Sequence, residues 1–210
     1  LKNTVKLKLM KNTFLYLLLA SFAFVSLTSC KKAVKKSAPQ TKQYSIDPFQ
    51  TAINWTAYKT TDKVPVSGKF TLLTLENPKK GSSMTAALNG SEFSIPVSSI
   101  YSNNEARDYK LKTLFFGVMK NTAFLSGTLY ITDKTAGYVD FSMNGVLEKL
   151  PFTYVIEGEK IRLTAVMNTD SWQAQSAIAS INEACLELHK GADGISKTWD
   201  EVTLNITSTF

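Results

Sequence analysis

The strongest constraint on this chain is a period-two alternation of apolar and polar residues that recurs from residue 53 almost to residue 206. Ile53, Trp55 and Ala57 alternate with Asn54, Thr56 and Tyr58, as in a strand with one face covered and the other wetted. Val66, Gly68, Phe70 and Leu72 continue the pattern, and Phe93, Ile95 and Val97 repeat it. Further candidate strands are Phe124 to Ile131, Tyr138 to Met143, Phe152 to Ile156, Ile161 to Val166 and Glu201 to Ile206. Their separators are turn-formers: Asn77-Pro78-Lys79-Lys80-Gly81, Thr132-Asp133-Lys134-Thr135, Asn144-Gly145 and Glu157-Gly158-Glu159-Lys160. Many short strands at regular spacing predict an all-β antiparallel sandwich or barrel.

One late segment leaves this rhythm. Ala174, Ala177, Ile178, Ile181, Ala184, Cys185 and Leu188 share one face at helical spacing. Asp170 as N-cap, Gln173 in capping-box position and Gly191 as terminator set this helix at about 171–190. It would lie against the sheet or plug one end. A shorter helical stretch is expected around Glu105 to Phe116.

Trp55, Phe70, Phe93, Phe124 and Phe141 fall on the apolar side of their strands and are expected to point inward together. They would either fill the core or line a space for one small ligand, since a barrel of about eight strands can do both.

Charge is distributed unevenly. The chain carries +7 overall, yet nine lysines and no acidic residue precede Tyr44. From Tyr44 to Phe210 there are 15 basic residues against 17 acidic ones, a net −2. With no basic stripe in the body, a nucleic-acid partner is set aside; the N-terminal lysines suit anionic headgroups. Lys6, Lys8 and Lys11 precede an apolar run from Phe14 to Leu27, the anatomy of a secretory signal and short for a spanning helix. Met10 is the expected true start. The run ends in Leu27-Thr28-Ser29-Cys30, which resembles the lipobox of bacterial lipoproteins. That resemblance implies cleavage before Cys30 and a lipid on its thiol. Residues 31–43, KKAVKKSAPQTKQ, are too polar to order themselves and read as a tether. The lack of acidic residues after Lys31-Lys32 favours an outer-membrane lipoprotein facing the periplasm. The other cysteine, Cys185, has then no disulfide partner, so the domain at 44–210 must stand on its apolar core.

Several motifs carry a family likeness. Tyr44-Ser45-Ile46-Asp47 and Val66-Ser67-Gly68-Lys69-Phe70 open the domain, and Ser98-Ser99-Ile100-Tyr101-Ser102-Asn103-Asn104-Glu105-Ala106-Arg107-Asp108 leads through Leu111 to Phe115-Phe116. With Asn144-Gly145-Val146 before Pro151-Phe152, these resemble YceI-like proteins over most of 44–210. The resemblance implies an antiparallel eight-stranded lipocalin-like barrel holding a long isoprenoid or similar lipid. It adds Phe115 and Phe116 to the expected lining and offers Arg107 as a headgroup or mouth contact. Where the family bears a histidine after its first strand, this chain reads Tyr58-Lys59, and the 172–194 region is a variant.

Catalytic chemistry is thin. The single histidine, His189, excludes a histidine-pair metal site, and no nucleophile elbow, metalloprotease helix or phosphate loop occurs. His189 is expected in the last helical turn, favoured there by the dipole, and Cys185 as an inert buried thiol. Arg107 and Asp108 are expected chiefly to fix a loop. The expectation is therefore a non-catalytic lipoprotein of the cell envelope, with no cofactor or metal, binding an apolar small molecule. A structural module with a filled core, or an enzyme on a small hydrophobic substrate, is the alternative, and a homodimer is left open.

Overall fold

The computed structural model describes residues 41–210. The signal segment, Cys30 and the tether up to residue 40 lie outside the described residues. Thr41–Phe210 forms one compact unit, and the strand pairings and hydrophobic core described below are internal to it, so it has what it needs to fold by itself.

Ten strands form one curled sheet, every pairing antiparallel. They are β1 (Thr51–Lys59), β2 (Val64–Phe70), β3 (Thr74–Leu75), β4 (Glu92–Pro96), β5 (Ile100–Tyr101), β6 (Phe124–Ile131), β7 (Ala136–Met143), β8 (Val146–Glu157), β9 (Lys160–Asn168) and β10 (Thr198–Thr209). Their order is β3-β4-β6-β7-β8-β9-β10-β1-β2-β5. The expected eight strands are thus corrected to ten: β3 and β5, two residues each, are too short to show a period. Nor does a ladder close the sheet, because β3 and β5 are its two edges. Thr71 donates from its N and Oγ1 to the Ser99 carbonyl at 3.0 and 3.1 Å, which prolongs the β2–β5 pairing by one residue.

Register explains the inner face. Phe70, Ile53, Ile206, Leu163 and Tyr154 stand opposite one another across five consecutive strands, and Gly68, Trp55, Leu204 and Ala165 make the next row. Gly68 is required there: a Cβ would lie 2.2 Å from the Trp55 ring, which occupies the space of the missing side chain. Phe93, Gly127 and Phe141 form a similar row, with the glycine between two rings.

Phe124 does not point inward. It is 56% exposed, and the inner face of β6 is Leu125, Gly127, Leu129 and Ile131. The strand runs one residue out of phase with the expected pattern, which moves each side chain to the other face. Leu72, expected to extend β2, lies beyond its end and is exposed.

The helices are α1 (Met84–Leu88), α2 (Glu105–Lys110) and α3 (Gln175–Ala184). Beyond α2 the chain continues as a π-turn, Leu111–Phe115, and a 3-10 turn, Phe116–Val118, so the second helical expectation holds. The long helix at 171–190 is corrected to ten residues. Thr169–Trp172 is a separate 3-10 turn whose cap is Asn168, accepting from Asp170 N at 2.9 Å. Gln173 then adopts a left-handed conformation (φ 55°), which breaks the backbone before α3 begins. After Ala184 the chain proceeds in turns, so His189 is not in a helix and Gly191 does not terminate one.

Candidate functional site

Inside the curled sheet lies a cavity of about 500 Å³, walled chiefly by apolar side chains. This lies in the range of pockets that bury a small ligand, ~300–1,000 Å³. Its wall is the inner face just described. Val202, Leu204 and Ile206 of β10, with Val66 and Phe70 of β2, alternate inward yet are only half-buried, because they border open space.

Strand direction gives the cavity two ends. β1 runs from Thr51 to Lys59, and Thr51 pairs with Ser208 while Lys59 pairs with Thr198. At the first end Thr51 and Ser208 hydroxyls lie 2.9 Å apart, with Ile46 lining the wall beside them. At the second end α3 is the plug. Ile178, Ile181, Cys185 and Leu188 line the cavity at helical spacing, although the last two follow the helix proper. α3 packs against the 105–118 segment and β10.

The plug is fastened by side chain to backbone bonds. Trp172, 2% exposed, donates from Nε1 to the Phe141 carbonyl at 2.8 Å and sets its ring edge-on to Phe141. Asn144 Nδ2 donates to the carbonyls of Trp172 and Gln173 at 2.9 and 3.0 Å. Asp108 is buried and accepts from Ser102 N (2.8 Å) and Oγ (2.5 Å), so it fixes the loop before α2.

A register shift between Ala57 and Lys59 lets two consecutive residues, Tyr58 and Lys59, both face the cavity, with Thr198 and Trp199 doing the same on β10. Bulges at sheet rims re-aim side chains in this way. Lys59 Nζ donates to the Leu188 carbonyl at 2.9 Å; Lys110 Nζ donates to the Ala184 carbonyl at 3.2 Å and lies 3.6 Å from Cys185 Sγ. His189 Nδ1 is 2.7 Å from Thr198 Oγ1, which itself donates to Asn182 Oδ1. Thr198 therefore accepts from His189, and Nδ1 carries the ring's hydrogen. Burial first, then the charges of Lys59 and Lys110, hold this imidazole below its ordinary range, so it is neutral near pH 7. The expected helix-dipole partnership is replaced by this arrangement.

Of the expected lining residues, Trp55, Phe70, Phe93, Phe115, Phe116 and Phe141 all border the cavity, as does Arg107; Phe124 does not. Phe115 and Phe116 meet edge to face at 4.9 Å, and Phe116 meets Phe70 at 6.5 Å. Trp55 Nε1 and Thr169 Oγ1 are buried with no partner among the described residues. Lys59, Lys110 and His189 are lining residues that the strand pattern did not reveal. The helical spacing at 178, 181, 185 and 188 was the one available signal for the plug.

Comparison with known proteins follows this geometry. The model of the YceI-like domain matches residues 44–210. A solved polyisoprenoid binding domain from Saccharophagus degradans, implicated in plant cell wall breakdown, is similar at 12% identity and a TM-score of 0.55, covering 79% of this chain and 97% of that one. Burkholderia cenocepacia BcnA is similar at 12% identity and a TM-score of 0.52, covering 79% and 99%. At such identity the likeness is one of fold. No curated protein matches the chain.

Proposed function

This chain belongs to the YceI-like domain family, and from that premise we propose that it holds a long apolar ligand, an isoprenoid or another lipid, as a non-catalytic carrier or store. The observation that carries the reading is the cavity of about 500 Å³ walled by alternating apolar side chains from the whole sheet. Protein interiors normally pack to near-crystalline density. Here Phe70, Leu204 and Ile206 stay half-buried on the inner face, and an apolar chain beside them would complete their burial. Each ligand CH₂ taken from water contributes about 0.8 kcal/mol, so a long chain binds without many polar contacts. The polyisoprenoid binding domain from Saccharophagus degradans, of similar fold, supports the choice of ligand class.

The test is mass spectrometry of apolar molecules extracted from the gently purified Thr41–Phe210 domain, followed by titration of the stripped domain with a long isoprenoid. A stoichiometric extracted lipid, or saturable binding, is expected. Neither appearing would sink the carrier reading and leave an envelope module with a non-binding interior.

The proposal extends to the anchor. Leu27-Thr28-Ser29-Cys30 supports a lipid on Cys30 that tethers the domain to the cell envelope, at the outer membrane facing the periplasm. Cys30→Ala is expected to abolish fatty-acid labelling and leave an unprocessed precursor. Equal labelling of mutant and parent would remove the anchor from the proposal.

A further inference from the structure

We propose that the ligand is an amphiphile with an anionic head, a carboxylate or a phosphate monoester, seated at the plugged end among Lys59, Arg107, Lys110 and His189. This rests on the carrier reading and specifies its ligand.

The charges that border the cavity are all of one sign. Lys59, Arg107 and Lys110 line it, and no aspartate or glutamate does. Composition does not force this, because the domain has more acidic residues than basic ones. The cations also converge. Lys59 of β1 reaches Leu188 and Lys110 of α2 reaches Ala184, so lysines from two different elements meet the run of turns that carries His189. An ammonium has three donors; Lys59 spends one on a carbonyl, and Lys110 one on a carbonyl and one on Cys185 Sγ, so both keep donors free.

Among the described residues, no carboxylate forms an ion pair with Lys59, Arg107 or Lys110. The nearby acids are engaged elsewhere: Asp108 with Ser102, Glu187 with Lys190 and Asp193 with Thr61. Lys59, Arg107 and Lys110 are all half-buried on the cavity wall, and an anionic head beside them would gain charge-assisted hydrogen bonds. The guanidinium of Arg107 offers the planar fork that suits carboxylate and phosphate oxygens. The opposite end is neutral, its Thr51 and Ser208 hydroxyls paired with each other. The head therefore has one favoured end and the tail runs toward Thr51.

His189 couples the head to protons. Its Nδ1 hydrogen is given to Thr198, which leaves Nε2 as the site of protonation. The titratable and charged groups sharing its end of the cavity are Tyr58 and Lys59 on β1, Arg107 and Lys110 on α2, and the Cys185 thiol after α3. Burial first, and the charges of Lys59 and Lys110 second, hold the ring neutral; an incoming anion offsets those charges, so its binding draws a proton toward His189.

The experiment is isothermal titration calorimetry of the stripped Thr41–Phe210 domain with hexadecanoate, hexadecyl phosphate and hexadecanol. At least one anion is expected to bind about ten-fold or more tighter than the alcohol, the scale of one or two charge-assisted bonds. Whichever anion binds tighter identifies the head as carboxylate or phosphate. Arg107→Gln and Lys110→Gln should each weaken the anion and leave hexadecanol unchanged, a split that a purely structural role would not give. Anion binding repeated in buffers of different ionisation enthalpy should show proton uptake, lost in His189→Gln. Equal affinity for all three probes would overturn the anionic head and leave the carrier reading standing. Failure of all three to bind would overturn both.

Discussion

At the Thr51 end of β1 the cavity closes on two hydroxyls that satisfy each other, beside Ile46. At the Lys59 end, reached by the same strands, it closes on a helix, a run of turns and half-buried cations. The first end is made by the strands themselves, whose ladder continues to Thr51 and Ser208. The second is made by segments remote in sequence, 105–118 and 169–189, held on by bonds such as Trp172 to Phe141 and Lys110 to Ala184. The sheet thus supplies the wall and one cation, Lys59, while the inserted segments supply the closure and the other charges, Arg107 and Lys110. Regions held by few such bonds are those that open first.

Breaking the fastened end should have the largest effect. Trp172→Ala removes the most deeply seated aromatic of the plug and its bond to Phe141, and should destabilise the domain by about 3–5 kcal/mol in urea unfolding. A loss below 1 kcal/mol would show that the plug is not part of the cooperative unit. At the neutral end Thr51→Val should cost about 1–3 kcal/mol, because it leaves the buried Ser208 hydroxyl without its partner. A loss matching that of Trp172→Ala would erase the contrast between the ends.

The smallest expected effect is of pH on the cationic end. His189 is held below its ordinary pKa when folded, so the unfolded chain binds the proton more readily. The stabilisation is present above about pH 6.5 and is lost as pH falls below it. Between about pH 7 and pH 5 the melting temperature of the domain should therefore fall, and His189→Gln should flatten that slope. Asp133 and Asp193, whose carboxyls are held low by Thr135 and Thr61, act only at lower pH. An unchanged slope in the variant would assign the effect elsewhere.

Much of the wall was legible in sequence because a strand repeats with period two, and Trp55, Phe70, Phe93 and Phe141 obey it. Phe124 misled because β6 carries large apolar residues on both faces, Phe124 and Tyr130 outside and Leu125 and Leu129 inside. One aromatic does not reveal which parity is buried. The helix at 171–190 was overdrawn for a related reason. Cys185 and Leu188 face the cavity at helical spacing without being in the helix, so the pattern recorded burial rather than backbone. Asp170 and Gln173 fitted a capping box, yet Asn168 does the capping. The cationic end was not legible, because residues 59, 107, 110 and 189 share no spacing and meet only through the fold.

The two-residue edges of the sheet bear on how the domain behaves in company. β3 and β5 are the terminal strands, and each exposes a bare pair of residues to any neighbour. Unpaired edges are the templates on which further chains add and fibrils start, and short ones offer too few free backbone groups to seed that growth. The bond from Thr71 to Ser99 lengthens the β2–β5 pairing by one residue, and residues 64–68 of β2, which have no ladder partner on that side among the described residues, carry Pro65, whose missing N–H makes the stretch a poor template for a further strand.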